Sequence, residues 1–173
     1  NVTLDETGVY QLIILQDSIT GLEVGDEIGV FDENGILNSM DCSSQIGTAL
    51  VGAGIWTGEQ TTITSIGSVD NCSFGGFQLP GFVVGSSVMI KVYRPSTGVE
   101  YEATATYSAG TGTFGDVFMA VSELELIEPN PPYYNVTLDE TGVYQLIILQ
   151  DSITGLEVGD EIGVFDENGI LNS

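Results

Sequence analysis

The chain has 173 residues, of which 25 are acidic and two are basic, and its formal charge is −23. With Lys91 and Arg94 as its only cations it presents no basic patch, which excludes binding to nucleic-acid phosphates and to anionic membrane surfaces. Histidine is absent, so His-dependent nucleophiles and His-ligated metal sites are also excluded. A hydrophobic content of 42% is too high for a disordered acidic tail, and we expect a folded protein without membrane insertion.

The first half of the chain predicts short strands separated by glycine-rich turns. Residues 9–15 (VYQLIIL) predict a strand buried on both faces, and residues 27–31 predict a second strand after a turn at residues 25–26. Residues 34–35 (NG) are a strong hairpin signal. Residues 46–56 (IGTALVGAGIW) predict a strand whose glycines permit a bulge or close packing of the sheet.

The second half continues the same pattern. Residues 61–66 predict another strand, and residues 88–94 and 99–107 predict a hairpin around the turn 95–98 (PSTG). A last strand is expected near residues 117–126, and no stretch keeps a helical period over three turns. About eight short strands predict an all-β fold, a β-sandwich of the Ig-like or jelly-roll type.

The end of the chain repeats its beginning. Residues 135–173 are identical to residues 1–39, at an offset of 134 residues. Such identity indicates recent duplication or continued homogenisation of an array. We therefore expect one period plus 39 residues of a longer tandem array; a partial duplication is the alternative. The predicted organisation is a β-sandwich repeat at residues 1–128, a linker at 129–134, and the first strands of the next repeat at 135–173.

The predicted linker favours an extended, stiff arrangement of repeats. Pro129, Pro131 and Pro132 precede Tyr133 and Tyr134, and such a segment is polyproline-like and poor in sheet donors. One 134-residue period carries 17 acidic and two basic residues, a charge of −15, so neighbouring repeats repel each other. We expect the linker residues to set a fixed angle between successive repeats.

The second copy is too short to fold alone. Thirty-nine residues lie near the lower limit for an autonomous domain, and residues 146–149 (LIIL) would remain exposed. The second copy has two candidate partners: the rest of a next full repeat, or a neighbouring subunit that it completes by strand addition. Both give a head-to-tail polymer, so the predicted partner of the chain is itself.

Two cysteines, Cys42 and Cys72, predict an intradomain disulfide in a protein with no histidine for a metal site. Closing a loop of that length contributes roughly 3–4 kcal/mol in the chain-entropy model. The disulfide would imply an oxidising location, extracellular or at the cell surface. Two buried free thiols are the alternative.

Residues 32–41 (DENGILNSMD) allow two interpretations. Asp32, Asn34, Asn38 and Asp41 place oxygen atoms at spaced positions, as calcium loops do, although the twelfth position is Ser43 rather than Glu and the glycine is misplaced. The alternative is a hairpin turn with an acidic surface. No cofactor is expected apart from Ca²⁺, which could also screen the charge without a defined site.

Short motifs predict glycan attachment. Asn1, Asn71 and Asn135 begin N-glycosylation sequons. Ser18 and Ser152 lie in Asp-Ser-Ile, which resembles the short O-glycosylation motif of Bacteroidota-type bacteria. All of these patterns also occur by chance in unmodified proteins.

Three further side chains have a structural and a functional interpretation. Lys91 is predicted to pair across strands with Glu100 or Glu102, rather than to form an isopeptide bond. Trp56 is expected in the core, and stacking of its ring on a sugar is the alternative. Tyr93 is expected on the same face as Lys91, where its ring could stack on a sugar.

Several segments of the chain form a recognisable ensemble. They are residues 21–32 (GLEVGDEIGVFD), 54–58 (GIWTG), 80–85 (PGFVVG), Tyr93 and 97–101 (TGVEY). Together they resemble a β-domain of large secreted and cell-surface proteins, found notably in Bacteroidota, often in tandem and with type IX secretion. The likeness spans most of residues 8–126, and Ser39 to Ile46, with Cys42, looks like an insertion in it. The resemblance implies an extracellular structural or adhesive module and transfers no catalytic residue.

The sequence favours a structural function. We expect a repeat of an extracellular filament or giant cell-surface stalk that assembles head to tail. The alternative is an adhesin or carbohydrate-binding array that grips glycans, with or without calcium. Enzymatic activity is not expected, because none of the many carboxylates lies in the context of a catalytic acid pair.

Overall fold

The computed structural model describes residues 2–4, 6–38, 40–129, 134, 136, 142–150, 152–156 and 160–170. The chain divides into two units, residues 1–129 and residues 130–173. The assignment of residues 129–134 as a linker between repeats stays a prediction.

The first unit consists of strands and one 3₁₀ turn, Cys72–Phe74. This confirms the all-β class predicted from the short apolar segments between glycine-rich turns. The strands are β1 (Tyr10–Leu15), β2 (Glu27–Ile36), β3 (Ile46–Ile55), β4 (Thr61–Ile66), β5 (Val69–Asp70), β6 (Gln78–Leu79), β7 (Met89–Arg94), β8 (Val99–Ala109) and β9 (Phe118–Ile127).

Seven strands form one mixed sheet in the order β3-β2-β7-β8-β9-β1-β4, and β5 pairs with β6 in a small second sheet. The ladders of the large sheet are antiparallel except that β1 runs parallel to β9. Both β1 and β2 are interior strands, with a hydrogen-bonded neighbour on each side. The architecture is the sandwich-like one expected from the sequence.

The two ends of the strand order, β3 and β4, come close together although they share no ladder. A Cβ atom on Gly52 would lie 2.8 Å from Ser65 Oγ, and one on Gly54 would lie 2.9 Å from Ile63 Cγ1. The glycines therefore permit the close packing that the sequence predicted for this strand. A register shift between Val30 and Phe31 also marks the predicted irregularity along β3. The sheet thus folds over on itself around one core.

The core lies between the facing parts of this folded sheet. Buried side chains alternate along the strands, as in Ile13 and Leu15 of β1. The prediction that this strand is buried on both faces is therefore wrong, because Tyr10 on its other face is 65% exposed. Trp56 is 3% exposed, which confirms its expected place in the core, and the rings of Phe82 and Phe114 stack with centroids 4.4 Å apart.

The turn predicted at residues 34–35 is wrong, although β2 and β3 do pair as consecutive antiparallel strands. Strand β2 continues through residues 34–35 to Ile36, and β3 begins at Ile46. A register shift between Asp32 and Gly35 absorbs the irregularity, and a Cβ on Gly35 would lie 2.7 Å from the Cβ of Ala49. Gly35 therefore allows β2 to approach β3 closely. Pairing with the rest of the sheet overrides the local turn preference of these residues.

The predicted hairpin of β7 and β8 is confirmed. Gly98 has φ +72° at the turn, and its N–H donates to the Arg94 carbonyl over 2.8 Å. Glycine suits this left-handed conformation, which residues with a Cβ rarely adopt.

Candidate interaction surfaces

A buried ion pair fixes the start of β2. Asp26 is 1% exposed and accepts hydrogen bonds from Arg94 Nε at 3.1 Å and Arg94 Nη2 at 2.9 Å. The backbone N–H of Glu23 donates to the same carboxylate over 2.9 Å, and Arg94 Nη2 also donates to the Gly21 carbonyl. Sequence reasoning missed this pair, since its partners are 68 residues apart; the scarcity of cations was the one available signal.

The pair shifts both ionisation equilibria. Burial alone would raise the pKa of Asp26, but the hydrogen bonds from Arg94 and Glu23 outweigh it and lower that pKa below its ordinary value. The Asp26 hydrogen bond in turn raises the pKa of Arg94. Both groups therefore remain charged at neutral pH, as a structural ion pair.

The predicted disulfide is present between Cys42 and Cys72, with the two Cα atoms 6.0 Å apart. It joins the β2–β3 connection to the tip of the β5–β6 hairpin. Beside it, Gln78 is 4% exposed, and its Oε1 accepts a hydrogen bond from Asn38 Nδ2 over 3.2 Å. The Gln78 N–H also donates to the Asp41 carbonyl over 2.9 Å. Gln78 was not singled out in the sequence, because a lone glutamine carries no local signal.

The four predicted calcium ligands fall into two separate hydrogen-bond networks, one with Asp32 and Asn34 and the other with Asn38 and Asp41. Asp32 is fully buried, so the acidic-surface interpretation is wrong for it, and its two oxygens accept from the N–H groups of Asn34 and Val83. Asn38 is also buried and donates to Asp41 Oδ1 over 2.7 Å. Within the described part of the chain, no three acidic or cysteine side chains are grouped to hold a metal ion.

Hydrogen bonds explain the ionisation of Asp41. Its carboxylate accepts from the Ser43 N–H at 2.9 Å and from the Ser43 hydroxyl at 2.8 Å. These bonds, with the one from Asn38, lower the pKa of Asp41 below its ordinary value. The Asp41 oxygens therefore stabilise the conformation of the loop.

The predicted glycosylation residues that the structure describes are exposed. These are Asn71, next to the disulfide, Ser18, in the turn after β1, and Ser152 in the second unit. Asn1 and Asn135 lie outside the described residues. Modification of any of them stays a prediction.

An open groove lies on the outer face of β2, β3 and β7. Lys91 Nζ lies 3.1 Å from Glu100 Oε1, which agrees with the predicted cross-strand pair, and 5.8 Å from the ring centroid of Phe31. Tyr93 lines the same groove and is 40% exposed, on the Lys91 side as expected. Trp56 is buried and contributes no ring to this surface.

The second unit contains the repeated sequence without its strands. None of residues 142–150, 152–156 and 160–170 is in a strand or helix. The segment 144–149, identical to β1, exposes Ile147 to 54%, whereas Ile13 at the same repeat position is 0% exposed. Likewise Val164 is 70% exposed and its counterpart Val30 is 0% exposed.

Of the predicted linker residues, the structure describes two. Pro129 is exposed at the end of the first unit, and Tyr134 lies in the second unit, where its ring meets that of Phe165 edge-on with centroids 5.5 Å apart. Pro131, Pro132 and Tyr133 lie outside the described residues.

The chain matches no protein-family model, no curated protein and no solved structure. Among the residues that are described, none belongs to a helix long and apolar enough to cross a membrane. Fold and surfaces together define a class: an all-β, sandwich-like, disulfide-linked domain followed by a partial copy of itself.

Proposed function

We propose that this chain is a structural repeat of an extracellular filament or cell-surface stalk that assembles head to tail, with no enzymatic activity. One observation carries the proposal. The same 39 residues supply two interior strands to the first unit and form none among the described residues of the second. A sequence that is buried in one setting and exposed in another is suited to joining successive units.

The disulfide and the charge support an extracellular structural function. The Cys42–Cys72 bond persists in oxidising surroundings, outside the reducing cytoplasm. A charge of −15 per period opposes collapse of one repeat on another, which favours extended, soluble arrays. The resemblance to secreted Bacteroidota domains and the exposed Ser18 and Asn71 point the same way, with glycans as candidate modifications.

The contact between Tyr134 and Phe165 supports an ordered start of the second copy. Tyr134 immediately precedes the second copy, and its N–H also donates to Glu161 Oε2 over 3.0 Å. The last residue of the predicted linker is therefore held against the copy that comes after it.

Intact mass and electron microscopy of the native material test this proposal. After denaturation and reduction, we expect either a covalent mass of many 134-residue periods or discrete subunits, and in both cases ordered thin fibres before denaturation. Mass in excess of whole repeats would report glycans. Native material that is monodisperse and forms no fibres under any ionic condition would overturn the proposal.

Carbohydrate binding is the second candidate, and the groove containing Tyr93, Lys91 and Glu100 favours it. An exposed tyrosine beside charged groups offers a sugar both an apolar ring face and polar partners. Glycan-array binding that depends on Tyr93, with or without Ca²⁺, in material that forms no fibres would select this function instead.

A further inference from the structure

We propose that residues 135–173 are the donor half of a protein–protein interface, and that its acceptor is another copy of residues 40–134. This inference deepens the proposed head-to-tail assembly, on which it rests, by naming the segment that covers the second copy. The donor is the 39-residue repeated sequence, and the acceptor is the sequence of residues 40–134.

The first unit shows how the strands of the donor pair with those of the acceptor. Strand β1 lies between β9, with Leu12 opposite Phe118, and β4, with Leu12 opposite Thr64. Strand β2 lies between β3 and β7. Each of these four neighbours belongs to the acceptor, and β1 and β2 do not pair with each other.

Polar contacts follow the same division. Asp26 of the donor binds Arg94 of the acceptor, and Asp32 Oδ2 accepts from the N–H of Val83. Gln11 Oε1 accepts from the N–H of Gly115 over 2.6 Å. The donor therefore carries polar groups whose positions only a matching acceptor satisfies.

The second copy shows the donor without this acceptor. Tyr144 is 91% exposed, Leu146 77%, and Ile148 74%, and no strand forms at these positions. Because the sequence is identical to residues 1–39, the difference reflects the surroundings and not the residues. An isolated apolar strand of this kind is marginal in water and gains most of its stability from sheet neighbours.

Counting segments identifies the acceptor. A chain of 173 residues contains two donors and one acceptor, and the first donor occupies that acceptor. Exchange between two such chains leaves as many exposed donors as before, so it buries no additional apolar surface. Stable burial of the second donor needs an additional acceptor, joined covalently or supplied by another chain.

The test adds that acceptor to the full chain. A polypeptide of residues 40–134 is refolded with the 173-residue chain under oxidising conditions, and the complex is measured by light scattering and by amide hydrogen exchange. We expect a 1:1 complex in which residues 144–149 and 161–170 gain protection. No complex, or a complex without protection of these segments, would overturn the inference.

Two matched variants separate strand insertion from nonspecific hydrophobic association. Tyr144 and Ile147 are both exposed in the second copy, but their counterparts Tyr10 and Ile13 are 65% and 0% exposed in the folded sheet. Ile147→Asp should therefore weaken binding at least about 100-fold, because it buries a carboxylate, whereas Tyr144→Asp should change it less than about threefold. Equal losses in the two variants would contradict insertion.

A covalent version covers the case in which the separate acceptor aggregates. In a chain with residues 40–134 joined again after Ser173, the added segment should form a second disulfide and a second protected sheet. If the added segment stays unprotected, the inference fails. If native material forms fibres but the added acceptor does not bind the second donor, the filament function stands and depends on other contacts. If the acceptor binds but native material forms no fibres, the interface stands and the filament function is rejected.

Discussion

At the residue scale, the chain has only two basic side chains, and the structure uses them differently. Arg94 pairs with the buried Asp26, while Lys91 pairs with Glu100, whose side chain is 56% exposed. Removing the partner of a buried charge costs far more than removing an exposed ion pair, because the buried carboxylate loses both solvent and counter-charge.

Replacing each cation by methionine tests this difference. Arg94→Met should lower the free energy of unfolding by about 3 kcal/mol, since Asp26 keeps only its backbone donor from Glu23. Lys91→Met should lower it by less than about 1 kcal/mol. Urea titration followed by the fluorescence of the single tryptophan, Trp56, measures both. Similar losses in the two variants would show that Asp26 does not depend on Arg94.

At the scale of elements, the strands were predictable where the signal is local. The apolar run of β1 and the turn between β7 and β8 are signals that lie within a few residues, and the strand and the hairpin predicted from them are confirmed. The failure at residues 34–35 has a nonlocal cause, because pairing with β3 carries β2 past the turn signal. No local pattern predicts the parallel pairing of β1 with β9, in which Leu12 lies opposite Phe118.

The candidate sites were less predictable than the strands. The disulfide could be expected because two cysteines allow one pairing. The burial of Asp32 carried an unused signal: Ile28, Val30 and Asp32 alternate on the inward face of β2. The Gln78 network depends on two loops that meet only after the sheets form, so no spacing in the sequence indicates it.

The disulfide stabilises loops at the edge of the fold, and its removal gives an element-scale prediction. A Cys42→Ser, Cys72→Ser variant should lose about 3 kcal/mol in the free energy of unfolding and keep its sheet, because neither cysteine belongs to the core. Urea titration with and without reductant measures the loss.

The variant also serves as the control for reduction. Reductant should bring the parent chain to the stability of the serine variant and leave that variant unchanged. Far-ultraviolet circular dichroism should show the same strand content in both. Loss of the sheet in the variant would mean that the disulfide is required for folding and not only for stability.

At the scale of the whole molecule, two identical donors compete for one acceptor. The second donor can reach the acceptor of its own chain: sixteen residues separate Ile127 from Tyr144, and such a segment spans about 50 Å when extended. To lie parallel to β9, as β1 does, the second donor must first run back along the length of that strand, which is about 33 Å. We therefore expect that either copy can complete the sheet, within one chain or between two.

This redundancy predicts rescue of a core mutation. Ile13→Asp places a carboxylate at a fully buried position, which would unfold a domain with one donor. In the 173-residue chain, residues 135–173 supply the same strands unmutated, so Trp56 should keep the emission of a buried tryptophan. Ile147→Asp alone should also keep it, because the first donor is intact, and only the double variant should shift to the emission of a solvated tryptophan. If Ile13→Asp alone unfolds the core, the second copy cannot replace the first, and the equivalence of the two donors inferred from their identity does not hold in the folded molecule.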